Sequence, residues 1–161
     1  MNFKEFESIS NQVAHLFRGL GLRRGDRIAV LLENHIFYMP IVWGAFRCGL
    51  RVVTVATHLT PEDVDFILED SNATVLLTSL FMKSTLENLR LTTVAQQNRF
   101  ILDGQYSDFR SFEQAINQMP ISPVEDQSEG IEMLYSSGTT GRPKGIMKKL
   151  PDGPFGIPAP G

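Results

Sequence analysis

The chain has 161 residues, a net charge of −3 and a single cysteine. That length suits one ordinary domain with a real core, and 42% hydrophobic with 20% charged residues reads as a soluble globular chain rather than a disordered one. The acidic balance argues against a general nucleic-acid binder, and one cysteine excludes an internal disulfide and a cysteine-only metal site.

Met1 to Glu7 is polar and acidic, unlike a signal peptide. No apolar run reaches the ~18 residues of a membrane span, so a cytoplasmic setting is expected. Residues 3–20 read as an amphipathic helix, with Phe6, Ile9, Val13, Leu16, Phe17 and Leu20 at three- and four-residue steps. Gly19 and Gly21 flank its end, where a left-handed cap is expected. Gly25-Asp26 turns the chain into Arg27–Leu32, a continuous apolar run suited to a strand buried on both faces. Asn34 is placed to cap a helix over 36–48 that stops at Gly49, with Pro40 tolerable in its first turn. Cys48 beside Phe46 reads as a buried thiol rather than a nucleophile. His15, His35 and His58 are scattered without metal-ligand spacing, and His58 reads as plain surface.

The alternation continues. Residues 51–56 read as a second strand. Thr60-Pro61-Glu62-Asp63 is a helix start, with Thr60 as N-cap, Pro61 first in the helix and acids in the first turn. That helix turns Val64, Ile67 and Leu68 inward and ends near Asp70. A third strand covers 73–78, a helix 80–90, and a short strand Phe100–Leu102, closed by Asp103-Gly104. Residues 109–119 form a helix with Phe112, Ala115, Ile116 and Met119 on one face. A polar connector over 120–130 leads to a strand at 131–135. Strand–helix alternation of this kind predicts an α/β fold, a mostly parallel sheet with flanking helices. The division expected is a domain over 1–150 and a Pro/Gly-rich tail over 151–161. The tail carries four prolines and three glycines and is expected to run as an extended surface segment without regular structure.

The fifth strand delivers the chain to Tyr135-Ser136-Ser137-Gly138-Thr139-Thr140-Gly141-Arg142-Pro143-Lys144-Gly145. Four serine and threonine hydroxyls, three glycines and one lysine in eleven residues suit a polyanion. Glycines let backbone N–H groups converge, hydroxyls donate further hydrogen bonds, and lysine brings a mobile charge suited to phosphate. The spacing is neither Walker A, which needs Gly-Lys-Ser/Thr, nor the Gly-x-Gly-x-x-Gly fingerprint. Gly145 to Leu150 reads as a short strand, so the loop joins two strands. In parallel sheets, ligands bind beyond the carboxyl ends of strands, and this loop follows one. Acids Glu125, Asp126, Glu129 and Glu132 precede it, and Arg142, Lys144, Lys148 and Lys149 follow, a step in sign that favours positive potential on the phosphate side.

This stretch resembles the signature phosphate loop of the AMP-forming (adenylate-forming) synthetases, most like the acyl-CoA synthetase branch. Leu20 to Val30 resembles that family's turn into its first strand, and Asn34 matches an asparagine commonly found after it. Thr57-His58-Leu59-Thr60-Pro61-Glu62-Asp63 resembles a variant familiar in fatty-acyl-CoA synthetases, with Ala56 and Thr57 at departures from it. The resemblance covers Phe3 to Gly145. It implies the N-terminal part of the adenylate-forming fold and a two-step reaction. A carboxylate attacks the α-phosphorus of ATP, giving an acyl-adenylate and pyrophosphate, and the thiol of CoA then displaces AMP. It implies hydroxyl donors at Ser136, Ser137, Thr139 and Thr140, backbone donors at Gly138 and Gly141, and phosphate pairing at Lys144, with Mg²⁺ sharing the charge. Arg142 would point to solvent and Pro143 would stiffen the turn. No catalytic side chain and no protein metal ligand is assigned.

The sequence departs from the family at Met147-Lys148-Lys149-Leu150, where a Thr-His or Ser-His pair usually closes the next strand. The family's acyl pocket, adenine segment and C-terminal lysine are not found before Gly161. The reading is therefore an N-terminal fragment of an acyl-CoA synthetase, inactive alone. The alternatives are a non-catalytic phosphate or nucleotide binder, or a remnant that needs a complementary chain or forms a homo-oligomer.

Overall fold

The computed structural model describes residues 1–136 and 141–157. Helix α1 spans Phe3–Gly19 and opens with a capping box: Asn2 accepts the Glu5 N–H at 2.9 Å and Glu5 accepts the Asn2 N–H at 2.9 Å. Strands β1 (Arg27–Leu31), β2 (Arg51–Thr54), β3 (Val75–Ser79), β4 (Arg99–Leu102), β5 (Arg110–Ser111), β6 (Ile131–Ser136) and β7 (Lys144–Ile146) form one sheet in the order β5-β4-β3-β1-β2-β6-β7. All neighbouring pairs are parallel except the antiparallel β6–β7 pair.

The apolar run of β1 explains why the sheet is covered on both sides. Ile28, Val30 and Leu32 enter one core with α1, α2 (Tyr38–Arg47) and α5 (Phe112–Asn117). Ala29 and Leu31 enter the other, with α3 (Pro61–Ser71) and α4 (Lys83–Leu86). The chain leaves β1 toward β2 and then crosses back over β1 to β3. With crossovers of one hand, that reversal puts α2 and α3 on opposite faces.

Helix α3 starts as its sequence dictates: the Thr60 hydroxyl accepts the Asp63 N–H at 3.2 Å with Pro61 in the first turn. Three other expectations give way to tertiary contacts. Asn34 does not cap α2; the His35 ring nitrogen Nδ1 accepts the Phe37 N–H at 3.1 Å, and α2 begins at Tyr38 with Pro40 in its first turn. The helix expected over 80–90 contracts to a 3₁₀ turn, Leu80–Met82, and α4. Here the nearly buried Asp65 carboxylate accepts the Arg90 N–H at 3.0 Å and draws the chain out of helical geometry, with Leu91 at φ 50. The helix expected over 109–119 is shortened to α5 because Arg110–Ser111 join the sheet beside β4, and Ser111 becomes the cap.

Residues 151–157 form no helix or strand, and they dock on the domain. Arg24 donates to the Pro151 carbonyl at 2.8 Å, and the Gly156 N–H donates to Glu129 at 2.9 Å. The Phe155 ring meets Trp43 edge-on at 5.5 Å beneath the Arg47 guanidinium.

Cys48 is fully buried at the end of α2, where its thiol contacts the Ala14 carbonyl at 3.5 Å. Burial pushes the thiol up from 9.0 to about 11, with Arg18 opposing the shift. The folded chain therefore holds this proton where the unfolded chain has lost it. The associated stability is complete below pH about 9 and is lost as pH rises toward about 11. Chemical unfolding across that interval is expected to fall more steeply for the wild type than for Cys48→Ala, and equal slopes would contradict the burial assignment.

Candidate functional site: the β6–β7 hairpin

β6 runs parallel to β2 and ends at the carboxyl edge of the sheet, where the chain turns and returns as β7. The register pairs Leu134 with Ile146, Tyr135 with Gly145 and Ser136 with Lys144. Directly opposed residues of an antiparallel pair share a face, and successive residues alternate. Ser136 and Lys144 therefore project together on one side, and Tyr135 projects on the other, toward α3. The Ser136 hydroxyl donates to the Lys144 carbonyl at 3.4 Å, which closes the neck of the loop. Lys144 is exposed, and among the described residues its ammonium has no carboxylate partner within 4.0 Å.

Of the residues singled out in the sequence, Ser136, Gly141 and Lys144 are placed by the structure. Ser137, Gly138, Thr139 and Thr140 lie outside the described residues. Gly141 has φ +104, a conformation that side-chain-bearing residues rarely adopt, and a Cβ there would meet nothing within 4 Å. Its requirement for glycine is conformational rather than steric. Pro143 is buried. Arg142 is exposed as expected, but it does not simply point to solvent: its guanidinium stacks 5.0 Å above the Phe66 ring of α3.

The step in charge along the sequence is largely absorbed by structural pairs. Asp126 pairs with Arg18 at 3.2 Å, Glu129 binds the Gly156 N–H, and Lys149 pairs with Asp152 at 3.1 Å. Arg142 and Lys144 are the cations that stay on the loop. Beside it a cavity of about 270 Å³ reaches from Ser136 and Pro143 to Thr54, Ala56, His58 and Leu59. His58 is exposed and also borders a second opening, about 490 Å³, beyond the carboxyl ends of β1 and β2.

Sequence spacing did not reveal one cluster. Glu33, His35 and Asp103 bring their ligand atoms within 4.8 Å of one another. Both ring nitrogens are engaged, however. Nδ1 accepts the Phe37 N–H, so Nε2 carries the proton and donates to Asp103 at 2.8 Å. Glu33 accepts the Ser79 hydroxyl at 2.6 Å. No imidazole lone pair is left for a metal, and the cluster ties the ends of β1, β3 and β4 together.

A family model described as AMP-binding enzyme matches residues 1–150. The chain belongs to the AMP-binding enzyme family. Among its relatives, the crotonobetaine/carnitine–CoA ligase of Escherichia fergusonii is 29% identical over 158 residues, covering 91% of this chain and 30% of the relative. The long-chain-fatty-acid–CoA ligase FadD13 of Mycobacterium tuberculosis is 25% identical over 153 residues, covering 91% of this chain and 29% of the relative. In structure, the chain superposes with an anthranilate CoA ligase, AuaEII, solved in complex with anthranoyl-AMP, at TM-score 0.79 and 28% identity, over 91% of this chain and 29% of that one. The chain thus spans about 30% of the length of these AMP-binding relatives. Among the described residues, no helix is long and apolar enough to cross a membrane.

Gly141→Ala is expected to lower the unfolding free energy by about 1 kcal/mol or more, because a Cβ is strained at this φ whatever the free space. A denaturant titration in which the alanine chain matches the wild type would remove the conformational role.

Proposed function

We propose that the β6–β7 hairpin is the phosphate-holding element of an ATP-dependent carboxylate–CoA ligase site. The observation that carries this reading is the pairing of Ser136 with Lys144 on one face of the hairpin, at the carboxyl end of a parallel sheet. A hydroxyl donor and an exposed cation sit there on opposite stems of a loop rich in Ser, Thr and Gly. In the first step the substrate carboxylate attacks the α-phosphorus of ATP and the bond to pyrophosphate breaks. In the second the CoA thiol attacks the acyl carbon, AMP leaves, and the thiol proton is released. The loop acts on the first step by holding the β- and γ-phosphates and stabilising the charge on the departing pyrophosphate. Lys144 supplies the charge, Ser137, Thr139 and Thr140 the hydroxyls together with Ser136, whose O–H turns from the Lys144 carbonyl to phosphate, and Gly138 and Gly141 the backbone N–H groups.

Among the described residues, the one group of three metal-ligating side chains is Glu33, His35 and Asp103, at the ends of β1 and β4 rather than at the hairpin. Mg²⁺ arriving with ATP would share the phosphate charge with Lys144, as suits an ion that keeps its waters and binds few carboxylates. The relatives act, by name, on long-chain fatty acids and on crotonobetaine and carnitine, so a carboxylic acid is the substrate class proposed here, in a cytoplasmic setting.

Calorimetric titration with pyrophosphate tests the reading. The chain is expected to bind pyrophosphate, and Lys144→Ala to weaken binding by about tenfold or more, the scale of one charge-assisted hydrogen bond. Unchanged affinity would remove the loop as the site. As the chain spans about 30% of its relatives' length, carboxylate-dependent ATP–pyrophosphate exchange is expected to be absent from the 161-residue chain alone. Clear exchange would show that these residues suffice.

A further inference from the structure

We propose that helix α3 is a clamp that sets the placement of the two stems of the hairpin, and so of Ser136 and Lys144, and that Asp70, acting through Tyr135, is a positioning residue for them. This rests on the phosphate-holding reading above and adds to it residues that touch no phosphate.

Both limbs of the hairpin are tied to one face of α3. On the outgoing limb, the Tyr135 hydroxyl donates to Asp70 Oδ2 at 2.7 Å. On the returning limb, the Arg142 guanidinium stacks 5.0 Å above the Phe66 ring. Phe66 and Asp70 are four residues apart, so they are neighbours on one face of the helix. The distance between the two anchors is therefore one turn of a rigid element, about 6 Å. The Thr60 cap and Pro61 fix where that element begins.

Space around β7 is shaped for the same contact. A Cβ at Gly145 would lie 3.0 Å from Tyr135 Cζ and 3.1 Å from its hydroxyl oxygen. The phenol passes close over a residue with no side chain, and a Cβ there would press on it. Burial, and then the Asp70 hydrogen bond, push the Tyr135 phenol above its ordinary value, so it stays a neutral donor.

Asp70 is also out of place on helix grounds. Acids are unfavourable near a helix C-terminus, and the last turn of α3 contains no basic residue to offset one. Its carboxylate is explained by the hydrogen bond it accepts. Tyr135 and Ser136 are successive residues of β6, so fixing the first toward α3 fixes the second, with Lys144 across the ladder, on the opposite face. Clamping one side thereby presents the phosphate ligands on the other.

The test compares pyrophosphate affinity of the wild type, Lys144→Ala, Tyr135→Phe, Asp70→Ala and Asp70→Asn, with amide hydrogen exchange of residues 144–146 measured on the same chains. Tyr135→Phe and Asp70→Ala are each expected to weaken pyrophosphate about fivefold, the scale of one net hydrogen bond, and to speed exchange in β7 while the rest of the sheet is unchanged. Asp70→Asn, whose amide oxygen still accepts from the hydroxyl, is expected within about twofold of wild type; a loss equal to that of Asp70→Ala would overturn the hydrogen bond as the cause. If Lys144→Ala loses affinity while Tyr135→Phe and Asp70→Ala bind like wild type, the clamp is overturned and the phosphate reading survives. If pyrophosphate does not bind at all, the phosphate reading fails, and exchange alone decides the clamp: faster exchange in β7 supports it and unchanged exchange overturns it. Should Asp70→Ala fail to fold, Tyr135→Phe, which removes a single oxygen, decides between these outcomes.

Discussion

The parallel pairing of β2 with β6 is the contact on which the site depends. It joins Arg51 to Ile131, Val52 to Glu132 and Val53 to Met133 across a long stretch of chain. A slip of one residue would exchange the two faces of β6. Tyr135 would then face away from α3 and Ser136 into it, and the Ser136–Lys144 pair would turn to the wrong side of the sheet. The register is pinned just before the strand begins. The Ile131 N–H donates to the Leu50 carbonyl at 3.0 Å and the Ser128 N–H to the Arg47 carbonyl at 3.1 Å. Between them a Cβ on Gly130 would lie 2.5 Å from the Leu50 carbonyl oxygen. The chain can approach the α2–β2 turn this closely only at a residue with no side chain, so the position of Gly130 sets the phase of everything after it.

What was legible in the sequence was local. The Thr60-Pro61 start of α3, the amphipathic stripe of α1 and the two-sided apolar run of β1 are each written in neighbouring residues, and each stands in the structure. The expectations that gave way did so to partners far along the chain. Asp65 unwinds the segment after α4 by accepting N–H groups 25 and 26 residues away. Pairing with β4 takes Arg110 and Ser111 from the expected helix. His35, rather than Asn34, serves the start of α2 because its other nitrogen is held by Asp103, 68 residues on.

The same division runs through the site. The composition of the loop reads as that of a polyanion cradle, because glycine, hydroxyl and lysine chemistry is visible residue by residue. The supports of the loop were not visible. Asp70 is 65 residues from Tyr135, and along the chain it reads as one more surface acid near the end of a helix. Arg142 reads as a solvated cation until α3 brings Phe66 beneath it. The charge step along the sequence overstated the field at the loop for the same reason, since Lys149 and Glu129 are engaged with the docked 151–157 segment.

The face that carries Ser136 and Lys144 also carries Leu134 and Ile146, which are 42% and 48% exposed. These apolar side chains border an open cavity of about 340 Å³ that includes Phe46 and Lys148. An exposed apolar pair in register with a hydroxyl–lysine pair has a consequence for the chemistry. Any surface that covers Leu134 and Ile146 lies alongside the loop and removes water from Lys144 as well. Charge–charge attraction rises as the effective dielectric falls, so the same burial that satisfies the apolar pair would strengthen the phosphate contact proposed for Lys144. On the α3 side the hairpin is already anchored, because Tyr135 passes Gly145 to reach Asp70. The hairpin thus has one face anchored to its own helix and one face whose electrostatics depend on what comes to rest against it.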